Sequence, residues 1–417
     1  MRSAGVEKLE VAIVGAGPAG LFAAELLAGA GAKVTIFERL VSPARKFLLA
    51  GRGGLNLTHS EGRDLFLSRY GAARSWLSPG LDAFPPSALR AWAESLGEPT
   101  FVGSSGRVFP KSFKASPLVR AWLARLRAAG VELRPRHRLV AIGKDGALDF
   151  ETPAGSHKVR ARAVLLALGG ASWPRMGSDG LWVALLEARG IAVTPLEPAN
   201  MGIDIGWSED FAARFAGQPL KRIVLTVAGR RAEGEAMITA TGLEGGAIYA
   251  VSGPIRAALI TGRAHLDIDL KPDLDQATIV ARLTSGRAKD SLSSLLKKRL
   301  GLLPQAIGLL REAGGGPLPR EPEHLARLIK AARLPIVAAA SIERAISTAG
   351  GVGLDDVGPK GELSRLPGVF VAGEMLDWEA PTGGYLLQAT FATAAAAAQG
   401  IARRCGRDLN GATAPAW

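Results

Sequence analysis

The chain has 417 residues, 47% hydrophobic and 21% charged, enough for two or three globular domains and incompatible with a disordered chain. Glycine is abundant at 52 residues but follows no Gly-X-Y period, which excludes a collagen-like chain. The single cysteine, Cys405, excludes a disulfide framework, a cysteine-rich zinc site and an intrachain redox pair. A net charge of +13 invites a nucleic-acid or acidic-ligand reading. Yet the densest basic pieces, Lys297-Lys298-Arg299, Arg230-Arg231 and Arg403-Arg404, are scattered and carry no interleaved aromatics. The basicity therefore reads mostly as a solvated surface that also favours an anionic cofactor. No apolar run approaches the roughly 20 residues that span a bilayer, and the opening MRSAGVEKLEVAIVG lacks a leader pattern. No membrane association and a cytoplasmic location are expected.

Glu10 to Val14 reads as a short buried strand, followed at once by Gly15-Ala16-Gly17-Pro18-Ala19-Gly20. A helical pattern comes next, with Phe22/Leu26 and Ala23/Leu27 at i, i+4 spacing, ending near Gly29 to Gly31. Lys33 to Phe37 is the second strand and Glu38 ends it. This is a β-α-β unit of about 30 residues, the length a right-handed crossover needs. Gly15 makes the tight turn, Gly17 lets the backbone reach a pyrophosphate, and Gly20 lets helix and strand pack closely. The helix N-terminus offers unpaired N–H groups and a positive dipole end to phosphates. Glu38, eighteen residues after Gly20, is placed to accept from ribose hydroxyls.

Residues 40 to 115 read as irregular, with polar glycine loops at 45–58 and 106–110. Ser116-Pro117 predicts an N-cap and first-turn proline for a helix with Leu118, Trp122 and Leu126 on one face, stopped by Gly130. Short strands are expected at 131–133, 139–142, 147–151 and 158–160, then a buried strand at Ala163 to Leu168 running into Gly169-Gly170, and a helix at 179–189. Residues 191–270 look β-rich and 271–340 mainly helical. Pro367 to Ala372 reads as a buried strand, and Thr382-Gly383-Gly384-Tyr385 precedes a long alanine-rich helix to Arg404. The expected organisation is a first part of a nucleotide-binding domain over 1–190, an insert over 191–340, and the second part of the same domain over 341–417. The fold class is α/β, a Rossmann-like domain of the GR2 type with an inserted β-rich plus helical domain.

A dinucleotide fold serves NAD or FAD, and three features favour FAD. The fingerprint near the N-terminus is closed by a glycine-rich motif near the C-terminus. Ala167-Leu168-Gly169-Gly170 after a buried strand fits the Ala-Thr-Gly turn of FAD-binding folds, with Leu168 in place of threonine. No second strand-GxGxxG-helix unit is present for nicotinamide.

The sequence resembles the BaiN/YhiN-type FAD-dependent flavoproteins over nearly its whole length. The loop Ala44-Arg45-Lys46-Phe47-Leu48-Leu49-Ala50-Gly51-Arg52-Gly53-Gly54-Leu55-Asn56 is similar to that family's Gly-Arg-Lys-Leu-x-x-Ser-Gly-Gly-Gly-Arg-Cys-Asn. Gly106-Arg107-Val108-Phe109-Pro110, the segment Ala167 to Gly180, Gly234 to Ala247, Gly350-Gly351-Val352, and the closing Ala372-Gly373-Glu374…Asp377…Thr382-Gly383-Gly384-Tyr385…Gln388 match its motifs in order. The family's Arg-Cys becomes Gly54-Leu55 here, so a role for that thiol or guanidinium does not carry over; Arg52 is the nearest substitute for the charge. The residues expected to hold the cofactor are Gly15, Gly17, Ala19, Gly20, Glu38, Arg45, Lys46, Gly51, Asn56, Val140, Gly169, Gly170, Gly373, Glu374, Asp377, Gly383, Gly384 and Tyr385.

Gly383-Gly384 opening a helix would bring bare N–H groups to the pyrimidine edge of the isoalloxazine ring, where reduction places negative charge. Glu374 or Asp377 is placed for ribityl or ribose hydroxyls, with an ordinary turn acid as the alternative for Asp377. Tyr385 reads more readily as core packing than as a proton donor. The five histidines show no metal spacing, and only His59, beside the 51–58 loop, is near the expected flavin. Arg107 and Lys111 read as surface charges, with anion recognition as the alternative.

The expected function is an FAD-dependent oxidoreductase with non-covalent FAD, hydride transfer through flavin N5, and NAD(P)H as a transient donor. The substrate is a small organic molecule; the resemblance points to an activated C=C bond. The alternatives are a flavin-dependent RNA-modifying or RNA-binding protein, disfavoured because such catalysis usually uses cysteines absent here, and a flavin-binding protein without turnover. No catalytic residue is assigned, no metal is expected, and the oligomeric state is open.

Overall fold

The computed structural model describes residues 6–409 except 263 and 286–290, and not the side chain of Arg52. Two compact units are formed, one from the chain up to Glu197 together with the chain from Ser347 onward, the other from Pro198–Ile346.

The first unit opens with β1 (Glu7–Val14), α1 (Pro18–Gly29) and β2 (Val34–Phe37). The stretch expected to be irregular contains real helices: α2 (Arg45–Ala50), α3 (Arg63–Ser68), α4 (Arg74–Ala83) and α5 (Pro86–Ser95). Their apolar rows, Leu77/Leu81 and Leu89/Trp92/Ala93, are helical in spacing. Pro79, Gly80, Pro85 and Pro86 interrupt the pattern in sequence, but Pro86 is tolerated in a first turn and packing carries α4 past Pro79. Between and after them run β3 (Thr58–His59), β4 (Thr100–Val102) and β5 (Arg107–Pro110), a small antiparallel sheet in the order β3-β5-β4. Helix α6 (Ala115–Ala128) starts earlier than Ser116-Pro117 implied, with Lys114 at its N-cap, and ends at the left-handed Gly130.

Then come β6 (Glu132–Arg134), β7 (Arg138–Ile142), β8 (Leu148–Thr152) and β9 (Gly155–Leu166), the last fusing two expected strands. A short α7 (Trp182–Glu187) and β10 (Val193–Ala199) complete this stretch.

The second unit contains β11 (Ile203–Asp204), α8 (Glu209–Phe215), β12 (Pro219–Val227), β13 (Arg230–Ile238), β14 (Gly242–Glu244), α9 (Gly246–Tyr249), α10 (Ser252–Ile260) and β15 (His265–Asp269). Four helices follow, α11 (Gln276–Thr284), α12 (Leu292–Leu300), α13 (Pro304–Gly314) and α14 (Pro322–Lys330). The chain then returns to the sheet as β16 (Ala332–Pro335) and β17 (Ala338–Ala339), inside the range expected to be helical. The alternation of buried Ala332 and Leu334 with exposed Arg333 and Pro335 is the strand signal there. The seven strands pair antiparallel in the order β16-β15-β12-β13-β14-β11-β17. Their core joins the apolar faces of the helices, with Ile279, Leu296, Leu309 and Ile329 fully buried.

The chain re-enters the first unit through β18 (Ser347–Val352), which pairs with β10, then β19 (Val369–Val371) and α15 (Tyr385–Arg404). In the large sheet β6, β2, β1, β9 and β19 run parallel, and β8 and β7 extend the N-terminal half of β9 as an antiparallel hairpin. The chain proceeds from β1 to β2 and β6 on one side and to β9 and β19 on the other. That reversal opens a crevice beyond the carboxyl ends of β1 and β9, where α/β sheets bind ligands. Helix α1 is buried almost all round, between the sheet and α15. Phe22, Trp92, Trp122 and Phe391 interlock there at centroid distances of 4.7–5.8 Å.

Candidate dinucleotide site at the switch point

The three fingerprint glycines do different work. Gly15 has φ of +103°, donates its N–H to the Phe37 carbonyl at 2.8 Å, and leaves no room for a Cβ against the Ala167 carbonyl. A Cβ on Gly20 would run into the Gly15 carbonyl oxygen. A Cβ on Gly17 would meet nothing within 4 Å. Gly17 is the N-cap of α1, and no side chain caps that helix. Glu38 reaches back under this loop. Its carboxylate accepts from the Ala16 N–H at 2.9 Å and the Leu40 N–H at 2.8 Å. Burial raises its pKa more than those two hydrogen bonds lower it.

The other expected residues converge on the same end of the sheet by traceable links. Ala44, at φ +57°, donates its N–H to the Ala16 carbonyl at 2.9 Å and so anchors α2 to the glycine loop. Lys46 projects from α2 to Ser172 at 2.7 Å and to both oxygens of Glu374 at 3.0 and 2.7 Å. Glu374 also accepts from the Thr348 N–H at 3.1 Å and the Gly170 N–H at 3.4 Å. A Cβ on Gly169 would stand 3.2 Å from the Ser178 hydroxyl, and one on Gly373 3.0 Å from Ala19. Gly51 packs on Ala115 at the start of α6.

Three expected residues make no hydrogen bond to the glycine loop or to Glu374. Arg45 is exposed, within 3.5 Å only of the Ser42 hydroxyl. Asp377 accepts from the Thr194 hydroxyl at 2.6 Å. Val140 sits on β7 at a register shift, 38% exposed, with no link to the glycine loop. The residue before β7, His137, donates its N–H to the Glu38 carbonyl at 2.9 Å, so β7 starts beside the Glu38 turn.

At the far end of the crevice, α15 starts at Gly384 without a side-chain cap. Gly384, at φ +97°, presses its Cα on the Thr58 backbone, where a Cβ would stand 2.5 Å from the Thr58 Cα. Its missing side chain thus serves contact with the 51–58 loop. Tyr385 is buried, stacks on His59 at 5.3 Å, and donates its hydroxyl to Glu61 at 2.7 Å. Arg69 clamps the same carboxylate at 3.0 and 2.8 Å. Burial and the Glu61 carboxylate push the Tyr385 hydroxyl well above its ordinary value. Gly54, where the resembled family has arginine, has φ of +104° under the Phe113 ring, and Leu55, where it has cysteine, is fully buried. The side chain of Arg52 lies outside the described residues.

Sequence reasoning missed a polar set beside the turn. Arg39 pairs with Asp179 and donates to the Pro174 carbonyl at 2.7 Å. Only the next-residue relation of Arg39 to Glu38 hinted at it. It also missed the alternation of cations and rings in Arg107-Val108-Phe109-Pro110-Lys111-Ser112-Phe113-Lys114.

Four buried polar atoms near the crevice have no hydrogen-bond partner: Arg39 Nε, Asn56 Oδ1, Thr58 Oγ1 and Ser178 Oγ. A protein does not keep such atoms unpaired without a reason. Together with the open face of Gly17 and two uncapped helix N-termini, they fit a long, anionic, hydroxyl-rich dinucleotide.

Residues 9–400 match the family described as HI0933-like protein Rossmann domain. A 3-dehydro-bile acid delta(4,6)-reductase of Clostridium scindens is 27% identical over 420 residues, spanning 94% of this chain and 99% of that one. A ribosomal RNA dihydrouridine synthase of Escherichia coli is 23% identical over 413 residues, spanning 95% and 98%. Among solved structures, a 3-ketosteroid delta1-dehydrogenase from Sterolibacterium denitrificans shares the fold with a TM-score of 0.51 at 13% identity, over 95% of this chain and 99% of that one. The α/β fold with its nucleotide crevice and the match over nearly the whole length agree: this chain belongs to the HI0933-like Rossmann-domain family.

Proposed function

We propose that the chain is an FAD-dependent oxidoreductase that saturates a C=C bond conjugated to a carbonyl in a small organic substrate, with NAD(P)H as a transient donor. The observation that carries this reading is the run of unpartnered buried polar atoms along a crevice floored by Gly17 and bounded by two uncapped helices. FAD, held non-covalently, would supply two-electron hydride-carrier chemistry at this site. The α1 N-terminus would hold the pyrophosphate, and Glu38 would accept from the ribose. Gly169, Gly170 and the Lys46–Glu374 pair line the middle of the crevice. The uncapped α15 N-terminus would stabilise negative charge on the pyrimidine edge of a bound flavin. Leu55 excludes water where the family's thiol would stand. The Tyr385 hydroxyl, donated to Glu61 and hard to deprotonate, secures the start of α15 rather than delivering protons.

The bile-acid reductase and the dihydrouridine synthase share this chemistry, since a steroid dienone and a uracil ring both present a C=C bond beside a carbonyl. A second reading, RNA as substrate, is favoured by the synthase relationship and by the basic, aromatic segment 101–114. No described helix is long and apolar enough to cross a membrane. The test is an absorbance spectrum of the purified protein followed by anaerobic NADH and NADPH titration. A flavin spectrum bleached by one donor is expected. A folded protein that neither carries nor takes up flavin refutes the reading.

A further inference from the structure

Helix α13 begins without a cap of its own. Its neighbours α11, α12 and α14 each start on a side chain that accepts a first-turn N–H, at Asp275, Ser291 and Glu321. Leu303 holds that place on α13, and Pro304 follows it. Proline has no N–H to satisfy, so the orphan donors of this first turn are those of Gln305 and Ala306. Neither has a hydrogen-bond partner among the described residues, although Gln305 is only 6% exposed and Ala306 8%. Buried backbone donors are seldom left so.

Both residues line a cavity of about 230 Å³, below the roughly 300–1,000 Å³ of pockets for drug-sized molecules. Three buried leucines, Leu220, Leu270 and Leu302, line it too. So do Lys221, Arg222 and Lys271, none with an ion-pair partner among the described residues. Lone surface cations of that kind recur along the chain; here three of them share one cavity with two buried donors. A β-bulge in β12 between Leu220 and Ile223 brings Lys221 and Arg222 there, and Arg222 sits at a left-handed φ of +50°. Gln305 adds a demand of the opposite sign. Its Nε2 donates to the Pro219 carbonyl at 3.1 Å, which fixes the amide and leaves Oε1 an acceptor with no protein partner among the described residues. Asp273, exposed, is the one carboxylate on the lining.

A bare anion would meet the cations and the buried N–H groups but not the free oxygen of Gln305. A neutral sugar would meet that oxygen and leave the cations unused. The phosphate of a monoester carries a charge of about −1.5 to −2 and three strong acceptor oxygens, enough for two backbone donors and a cation at once, whereas a carboxylate has a single charge. We propose that this cavity binds a small phosphate monoester that also bears hydroxyl groups, a sugar or polyol phosphate. The phosphate takes the Gln305 and Ala306 N–H groups at the positive end of α13, and Arg222, Lys221 and Lys271 neutralise it. A neighbouring hydroxyl donates to Gln305 Oε1, and Asp273 accepts from another. The site belongs wholly to Pro198–Ile346, so it stands on these residues alone and not on the cofactor reading.

The test is calorimetric titration of the full chain with the terminal phosphate esters of glycerol, ribose and glucose, beside glucose and inorganic phosphate at equal ionic strength. Flavin content is read by absorbance, and folding by circular dichroism, on the same samples. At least one ester should bind, about tenfold or more tighter than inorganic phosphate, and glucose should not bind. Arg222→Gly removes the guanidinium and relieves the left-handed backbone. It should unfold at no lower temperature than wild type and bind the ester about tenfold more weakly. Gln305→Glu puts a carboxylate where the amide stands and should weaken binding by about as much. Arg230→Ala removes an exposed cation outside the cavity and should bind as wild type does. The site is refuted if no ester binds, if inorganic phosphate or glucose binds as tightly as every ester, if Arg222→Gly binds normally, or if Arg230→Ala loses as much as Arg222→Gly. Should Gln305→Glu fail to fold, Arg222→Gly decides alone. Flavin without ester binding overturns this site and leaves the cofactor reading intact; ester binding by a folded protein that takes up no flavin does the reverse.

Discussion

Gly17 differs from the other two fingerprint glycines in what a side chain there would meet. Space is open at Gly17, while Gly15 and Gly20 are closed by the Ala167 and Gly15 carbonyls. Identical sequence symbols therefore predict different failures. Gly17→Val should fold, with about 1 kcal/mol lost for a poor N-cap residue, and should lose more than about tenfold in FAD affinity because the branched side chain occupies phosphate space. Gly20→Ala should lose stability outright, by about 1–3 kcal/mol or more, through overpacking between strand and helix. Thermal unfolding beside flavin titration separates the two; a Gly17→Val protein with normal FAD affinity places the pyrophosphate elsewhere. Glu61 makes a second residue-scale prediction. Burial alone would raise its pKa, but Arg69 and the Tyr385 hydroxyl outweigh burial and hold it below the ordinary 4.5. A depressed carboxylate stabilises the fold above its unfolded pKa, and that stability drains away as pH falls through the folded pKa. Wild type should therefore lose stability below about pH 4.5 more steeply than Glu61→Gln, whose unfolding midpoint should be lower at pH 7 and flatter across that window. Equal slopes would mean that the Arg69–Glu61–Tyr385 group is not formed.

Among the elements, those with one dominant signal were legible in the sequence. The β1-α1-β2 unit showed through its glycines, β19 through a short apolar run, and α15 through its alanine-rich length after Gly383-Gly384. Helices α3 to α5 were illegible because prolines and glycines cut their apolar period, and tertiary burial of Leu77, Leu89 and Trp92 restored it. The two ends of the crevice were likewise legible, as glycine motifs before helices. Its hydroxyl lining was not: Ser178 and Thr58 are ordinary hydroxyl residues in sequence, and only folding leaves their oxygens buried without partners. The same view alters how α15 is tested. Its Gly384 faces the Thr58 backbone, so an aspartate there would clash before it touched a flavin. Leu386, half-buried in the first turn, is the better site. Leu386→Glu places a carboxylate against the positive end of the helix. At about 0.3–1 kcal/mol for a helix terminus, and about 30 mV per 1.4 kcal/mol, the flavin potential should shift by roughly 6–20 mV. The direction is downward, because the anionic reduced ring loses stabilisation. Full occupancy with an unchanged potential would show that α15 does not point at the ring.

For the whole molecule, the decisive feature is where the second unit leaves and rejoins the first. It is one continuous stretch, Pro198–Ile346, with its own seven-stranded sheet and its own buried core. The strands at its borders, β10 and β18, pair with each other in a two-stranded sheet, and Gly350 packs directly on the Pro195 backbone. The cut ends therefore lie side by side, and closing them needs only a few residues, a small loop-entropy cost. All residues of the candidate crevice belong to the first unit. Replacing 198–346 by a short Gly-Ser linker should leave a protein that folds and takes up FAD. The excised 198–346 should fold with a cooperative transition and take up none. The shortened chain is expected to lose substrate turnover if the insert contributes to substrate selection, while a flavin photoreduced without donor or substrate should still respond normally. If the shortened chain folds but does not hold FAD, the crevice beyond β1 and β9 is insufficient for the cofactor, and the insert supplies part of its site.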